Sequence, residues 1–531
     1  MNQQNGQRPV IEVDRHISLQ DAQRLIQGQA LLSVSSATRE RCRAAEARLA
    51  RCIQENRHVY GLTTGFGPLA NRLVSNDHGI TLQQNLIHHL ASGVGPSLSW
   101  GAARALVLAR LMSILQAVSG ASGEAIGALE AVLASDLAPV VPARGTVGAS
   151  GDLTPLAHMA LCLQGRGAFL SRDGTRIDAA PALQAMGLRP LSLAQRDGLA
   201  LVNGTSAMTG IAVLNAGQAK RQMKWATALT ALYGEGMRAR TEAWHAGLSR
   251  ARPHPGQRRV AGDLMAMTAG STLVRRTLTA IRVLEPRDVN SEEAEPGQDA
   301  YTLRCAPQVI GAAWDTLDWH DSVVERELNA ATDNPIFPDT EETPALHGGN
   351  FMGTHVALVS DALSAALLVL AGLAERQVAR ITDERLNRGL PPFLHQGQAG
   401  LNSGFMGAQV TATALLAEMR AVTGLASAQS LSTNGANQDV VSMGTISARM
   451  AGERLNDLAR IQAILALCAV QAVELRMAAG AGVRSPYARD LSAQIRRISP
   501  PLTDDRPLGA EIEALADAIA NKSPPRLADG S

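Results

Sequence analysis

The chain has 531 residues, enough for several domains or for one large helical subunit with a sizeable core. Alanine and leucine dominate, while aromatic residues make up 3% and charged residues 18%. That balance argues against a β-sandwich and for packed helices, because Ala and Leu lose little side-chain entropy in a helix. A formal net charge of +1, with both signs interspersed, argues against nucleic acid or a membrane surface and points to a small-molecule partner.

In chain order, Ser18 to Ala30 and Ser36 to Glu55 read as amphipathic helices after a polar leader. A Gly- and Thr-rich loop, YGLTTGFGP, runs from Tyr60 to Pro68. Helical patterns resume over Thr81–Ser92, Gly101–Val118 and Glu124–Ser135. The stretch LAPVVPARGTVGASGDLTP holds three prolines and three glycines and is expected to be irregular. Pro155 then suits the first turn of a helix. Beyond VNGTSAMTG come three long helical patterns, Ser206–Leu232, Gly353–Arg385 and Val441–Ala478. Within the last, IQAILALCAV is apolar on every face, as at the centre of a bundle. The expected fold is all-α: an elongated bundle of long central helices (205–531) and a smaller, loop-rich N-terminal domain (1–204). Helices this apolar call for partners on all sides, so several subunits are expected to associate.

Five widely spaced cysteines form no CxxC pair, which indicates neither a disulfide framework nor a zinc site. The N-terminus, MNQQNGQRPVIEVDRH, has no apolar core of signal-peptide length. The apolar run HVALVSDALSAALLVLAGLA carries Asp361 and two serines and reads as a buried helix, not a membrane span. A cytoplasmic location follows as the expectation.

The loop GTVGASGD, from Gly145 to Asp152, admits three readings. A phosphate cradle would need a P-loop lysine, and here Asp152 follows the last glycine instead. A merely flexible loop is the second. The third is backbone chemistry: at Ala149-Ser150-Gly151 the amide nitrogen of Gly151 can approach the carbonyl carbon of Ala149, since glycine has no Cβ to block it. Ring closure and loss of the serine hydroxyl would leave an exposed, electron-poor double bond.

The segment GTVGASGDLTPLAH strongly resembles the signature of the aromatic amino acid ammonia-lyases, the histidine, phenylalanine and tyrosine enzymes. The likeness extends from about Val10 to Asn521. In that family Ala-Ser-Gly cyclises to 4-methylidene-imidazole-5-one (MIO), so the resemblance implies MIO formed from Ala149, Ser150 and Gly151, with no metal, nucleotide or PLP. It also implies a homotetramer with active sites shared between subunits.

Deaminating an α-amino acid needs an electrophile to make the amine leave, a base for the weakly acidic β-proton and a cation for the carboxylate. Tyr60 in YGLTTGFG resembles the family's tyrosine base. Tyr301 and Arg304 in GQDAYTLRCAPQ resemble its second tyrosine and its carboxylate-binding arginine. Asn203 in VNGTSAMTG can shape a turn before a helix, and by resemblance it also hydrogen-bonds the prosthetic group. Gln298, Asn329, Phe351 in HGGNFMG, Asn437 and Gln438 match pocket or support positions, and Asp152 is expected to hold the loop geometry.

Substrate choice rests on NLIHHLASGVG. Adjacent His88 and His89 point about 100° apart on a helix and make poor joint metal ligands. The His89-Leu90 pair resembles the tyrosine-specific members, where phenylalanine-preferring relatives carry an aromatic residue and histidine-specific relatives carry Ser-His. A neutral imidazole can partner a buried phenol. Gln438 stands where histidine-specific relatives carry a glutamate. The resemblance thus implies deamination of L-tyrosine to trans-p-coumarate and ammonia, with weaker action on L-phenylalanine. A phenylalanine ammonia-lyase, a tyrosine aminomutase and a non-catalytic helical protein on the same scaffold are the alternatives.

Overall fold

The computed structural model describes residues 8–275, 298–340, 344–398, 400–422 and 424–527. Among these, the fold is an all-α helical bundle with small accessory sheets. The described chain divides into two compact units, one of Met1–Gly217, His320–Asp361 and Leu425–Met450, the other of Gln218–Trp319, Ala362–Gly424 and Ala451–Ser531. A boundary after residue 204 falls inside the first of them.

In the first unit the helices Leu19–Ile26, Ser36–Gln54, Trp100–Ile114 and Gly123–Ala134 begin on serines. Ser18, Ser35, Ser99 and Ser122 each accept a backbone N–H three residues on, satisfying one of the orphan donors of a helix start. The Trp100–Ile114 helix is almost entirely buried and carries Arg104 in its midst. That guanidinium donates to the carbonyls of Ile26, Val132, Leu133, Ser135 and Leu137, so one buried cation closes the C-terminal ends of two neighbouring helices. Burial lowers its pKa only to about 10, and it stays charged.

The proline-rich stretch is more regular than its sequence predicts. Leu137–Pro139 joins an antiparallel sheet with Ala168–Ser171, and Pro142–Arg144 pairs with Val94–Ser97. Proline is tolerated because these strands are short and each lies at a sheet edge, where a ladder N–H is dispensable. The second of these strands delivers the chain into the Gly145–Gly151 loop. The Leu153–Leu163 helix receives it on the far side, with Pro155 in its first turn.

The core of the second unit centres on Ile461 to Val470, nearly all of it fully buried, as an all-round apolar helix requires. Among the described residues, two helices are long and apolar enough to cross a membrane, Thr354–Thr382 and Gly444–Ala478. Most of the apolar window in each is buried by protein.

Candidate active site

The Gly145–Gly151 loop is held from below by Asp152. This aspartate is fully buried, and its carboxylate accepts the backbone N–H of Met208 at 2.8 Å together with the Thr445 hydroxyl. Met208 lies in the first turn of the Ser206–Gly236 helix, whose free N–H groups favour an anion. Burial raises the Asp152 pKa to about 6; the Thr445 hydroxyl and the backbone amides oppose the shift, and Glu327 adds to it. The backbone N–H of Asp152 donates to the carbonyl of Gly204 at 2.7 Å, which ties the loop to the VNGTS turn.

Two glycines in the loop are compelled by geometry. Gly148 and Gly151 both have φ near +70°. A Cβ on Gly151 would stand 2.2 Å from the Gly204 carbonyl oxygen, and one on Gly148 would stand 2.3 Å from Ser442 Oγ. Isolated backbone bridges join Ala149 to Gly151 and Gly151 to Gly204.

Ser150 is half-buried and faces a cavity of about 290 Å³, at the small end for ligand pockets (about 300–1,000 Å³). Tyr60, His89, Leu90, Asn203 and Gln438 line it with Ser150. Tyr60 Oη accepts the backbone N–H of Gly67 at 2.8 Å, and its ring meets Phe66 edge-on at 6.1 Å, so the phenol is oriented at both ends. Asn203 is 3% exposed and ends the Asp197–Val202 helix. Its backbone carbonyl accepts from Arg110, while its side-chain oxygen is buried with no partner among the described residues.

His89 closes the Gly79–Leu90 helix. Its Nδ1 lies 2.9 Å from the Asn85 carbonyl, one helical turn back. The proton of the neutral ring therefore sits on Nδ1, and Nε2 is left as an acceptor. The neighbouring His88 bonds Arg166 at 2.8 Å instead and does not line the cavity. Gln438 Nε2 donates to Ser150 Oγ at 3.0 Å.

Gln298, Tyr301 and Arg304 also come together, but around a cavity of about 840 Å³ in the second unit. Arg304 donates to Gln298 Oε1 and stacks over the Tyr301 ring at 4.8 Å. Tyr301 is 69% exposed. Among the described residues these three do not line the Tyr60 cavity, nor do Asn437, which is exposed in a turn, and half-buried Phe351. Asn329 pairs both ways with the backbone of Ile17, at 2.9 and 3.0 Å, and serves as a tie for the N-terminal segment. Sequence reasoning missed the cavity residues Phe66, Leu86, Leu153, Leu199 and Asn434. None stands out from ordinary core or turn chemistry, although Phe66 and Leu153 sit within the two motifs themselves.

A sequence profile of the family described as aromatic amino acid lyase matches residues 17–497. The tyrosine ammonia-lyase of Cereibacter sphaeroides is 62% identical over 517 residues, 97% of this chain and 98% of that relative. A tyrosine ammonia-lyase of Cupriavidus metallidurans is 42% identical, with 89% of each chain covered. Among solved structures, the crystal structure of a tyrosine aminomutase from Streptomyces globisporus matches with a TM-score of 0.91 at 38% identity, covering 96% of this chain and 97% of that one.

Proposed function

The chain belongs to the aromatic amino acid lyase family, and from that premise we propose that it is a tyrosine ammonia-lyase, converting L-tyrosine to trans-p-coumarate and ammonia. The observation that carries this reading is one small cavity holding Ser150, Tyr60, Asn203 and, on its wall, a histidine whose free ring nitrogen is an acceptor.

The residues fit an MIO group formed from Ala149, Ser150 and Gly151. At Gly151 the Gly204 carbonyl leaves no room for a side chain, so the residue is one whose amide nitrogen is unobstructed. The buried, unpartnered side-chain oxygen of Asn203 gives the cavity a polar atom ready for the group or for the substrate's ammonium. The group supplies an electron-poor double bond that turns the amine into a leaving group.

The rest of the reaction falls to the side chains. Tyr60 Oη, oriented by the Gly67 amide, takes the β-proton; the C–H electron pair becomes the new double bond as the C–N bond breaks. Arg304 grips the carboxylate through two hydrogen bonds, with Tyr301 beside it. In this proposal a neighbouring subunit of a homotetramer brings Tyr301 and Arg304 to the cavity. The 69% exposure of Tyr301 on the single chain supports it, because a large, largely uncovered ring is a contact in waiting. His89 Nε2 accepts the substrate's phenolic O–H, and Leu90 packs on its ring. Phenylalanine leaves that nitrogen unpaired, so the preference for tyrosine is real but incomplete. The free cysteines fit a reducing cytoplasm.

Initial rates of ultraviolet-absorbing product from L-tyrosine, L-phenylalanine and L-histidine, supplied separately, test the reading. Tyrosine is expected to give the largest kcat/KM. A larger value for phenylalanine would overturn the assignment, and β-tyrosine as main product would make the enzyme an aminomutase.

A further inference from the structure

The segment Thr433 to Gln438 is a tight hairpin that the reaction above does not use. Its two end residues pair through the backbone in both directions, Thr433 N–H to Gln438 O at 3.0 Å and Gln438 N–H to Thr433 O at 3.3 Å. Asn434, Gly435 and Ala436 between them all have positive φ, 50°, 59° and 63°. Such a turn sets the two end side chains next to one another. The Thr433 hydroxyl donates to Gln438 Oε1 at 2.8 Å, and the other end of the same carboxamide, Nε2, donates to Ser150 Oγ at 3.0 Å.

An amide can face a hydroxyl with either end, and here the choice has a chemical consequence. With Nε2 forward, a donor meets the serine oxygen. With Oε1 forward, an acceptor would hold the serine's own proton and leave that oxygen with no donor. The first arrangement is the one present, with the Thr433 hydroxyl donating to Oε1 and holding the carboxamide in place; turned over, Nε2 would donate to Thr433 Oγ1 instead and Ser150 would lose its donor.

We propose that Gln438, locked by Thr433, assists the loss of the Ser150 hydroxyl during maturation of the chain; this rests on the MIO reading. Ring closure joins Gly151 N to the Ala149 carbonyl carbon and expels that carbonyl's oxygen as water, with the amide protons of Gly151 and Ser150. Dehydration breaks the Ser150 Cβ–Oγ bond. The Cα proton departs, its electron pair forms the Cα=Cβ bond, and proton and hydroxide leave as a second water. The Gln438 N–H points at the oxygen that must depart with negative charge, while Thr433 acts as a positioning residue one step removed.

The test follows maturation by mass, independently of turnover. Full-length wild-type, Thr433→Val, Thr433→Ser and Gln438→Glu chains are made by cell-free translation above neutral pH, synthesis is stopped, and intact masses are read over time. Wild type is expected to finish two waters short. Thr433→Val should accumulate a species one water short and lose the second water ~5-fold more slowly, the effect of one neutral hydrogen bond. Thr433→Ser should follow wild type, and Gln438→Glu, whose carboxylate cannot donate, should be slowed ~10-fold or more. Maturation of Thr433→Val at the wild-type rate, or equal slowing in Thr433→Ser, overturns the proposal. Should Thr433→Val fail to fold by circular dichroism, Gln438→Glu decides, and its maturation at the wild-type rate overturns it equally. A wild type that loses no water refutes the MIO reading instead, so the two failures are distinct.

Discussion

Replacing His89 by phenylalanine keeps a planar ring at the mouth of the cavity and removes one atom's chemistry, the Nε2 acceptor. In the wild type that acceptor is prepared before substrate arrives, because the Asn85 carbonyl holds the proton on Nδ1 at 2.9 Å. Little ordering is then left to offset the gain from the phenol. Loss of the acceptor strands the tyrosine hydroxyl, a penalty of about 1–3 kcal/mol, or roughly 5- to 150-fold in the ratio of kcat/KM for tyrosine to that for phenylalanine. His89 lies at an open rim on the single chain, which favours the lower half of that range. The expected pattern is a fall for tyrosine accompanied by a rise for phenylalanine, since a benzene ring gains an apolar neighbour. Rates of p-coumarate and cinnamate formation give both terms. His89→Gln, which retains a polar end, should sit between wild type and His89→Phe. An unchanged ratio in His89→Phe would show that the imidazole does not touch the substrate hydroxyl.

Tyr60→Phe and Arg304→Ala should each abolish most activity, Tyr60→Phe by about 10²–10⁴-fold. If the two side chains reach one site from different subunits, co-expressing the variants should restore roughly a quarter of wild-type activity through mixed oligomers. No recovery would place both in a single chain's site. For Asp152, burial sets a folded pKa of about 6, above the unfolded value. Between about pH 4 and 6 the folded state therefore holds more proton than the unfolded one, so stability falls as pH rises through that window, by about 3 kcal/mol in all. Urea midpoints across the window should show that slope in wild type and lose it in Asp152→Asn; identical slopes would mean that Asp152 is not buried as a charge. Gly151→Ala should lower the urea midpoint by about 3 kcal/mol equivalent and block maturation, because its Cβ would meet backbone at 2.2 Å. A fully stable, mature Gly151→Ala would refute the close approach to Gly204.

Much of the architecture was legible in residue order. The helices expected over Ser36–Glu55 and Ser206–Leu232 end within a few residues of Ser36–Gln54 and Ser206–Gly236, because serine caps and long periodic patterns are local signals. The Val10–Val13 and Leu31–Val34 strands were not foreseen. Four-residue pairings depend on a partner about twenty residues away, which periodicity does not report. The same limit governs the cavity. Tyr60, Ser150 and Asn203 each sit in a Gly-rich motif whose backbone demands are visible in sequence. Leu86 and Leu199 are ordinary leucines until the fold turns them inward. The pinned tautomer of His89 and the Thr433 lock on Gln438 are matters of hydrogen-bond direction, which only coordinates convey.

One measurement bears most directly on the chemistry: the intact mass of the purified, unfolded wild-type chain beside that of Ser150→Ala. Wild type should weigh two waters less than its encoded sequence, with the deficit confined to the peptide that spans Ala149 to Gly151, and Ser150→Ala should fall short of its own encoded mass by at most the one water of ring closure, because it has no hydroxyl to lose. A wild-type chain at its full encoded mass, still deaminating tyrosine, would contradict the proposed electrophile outright.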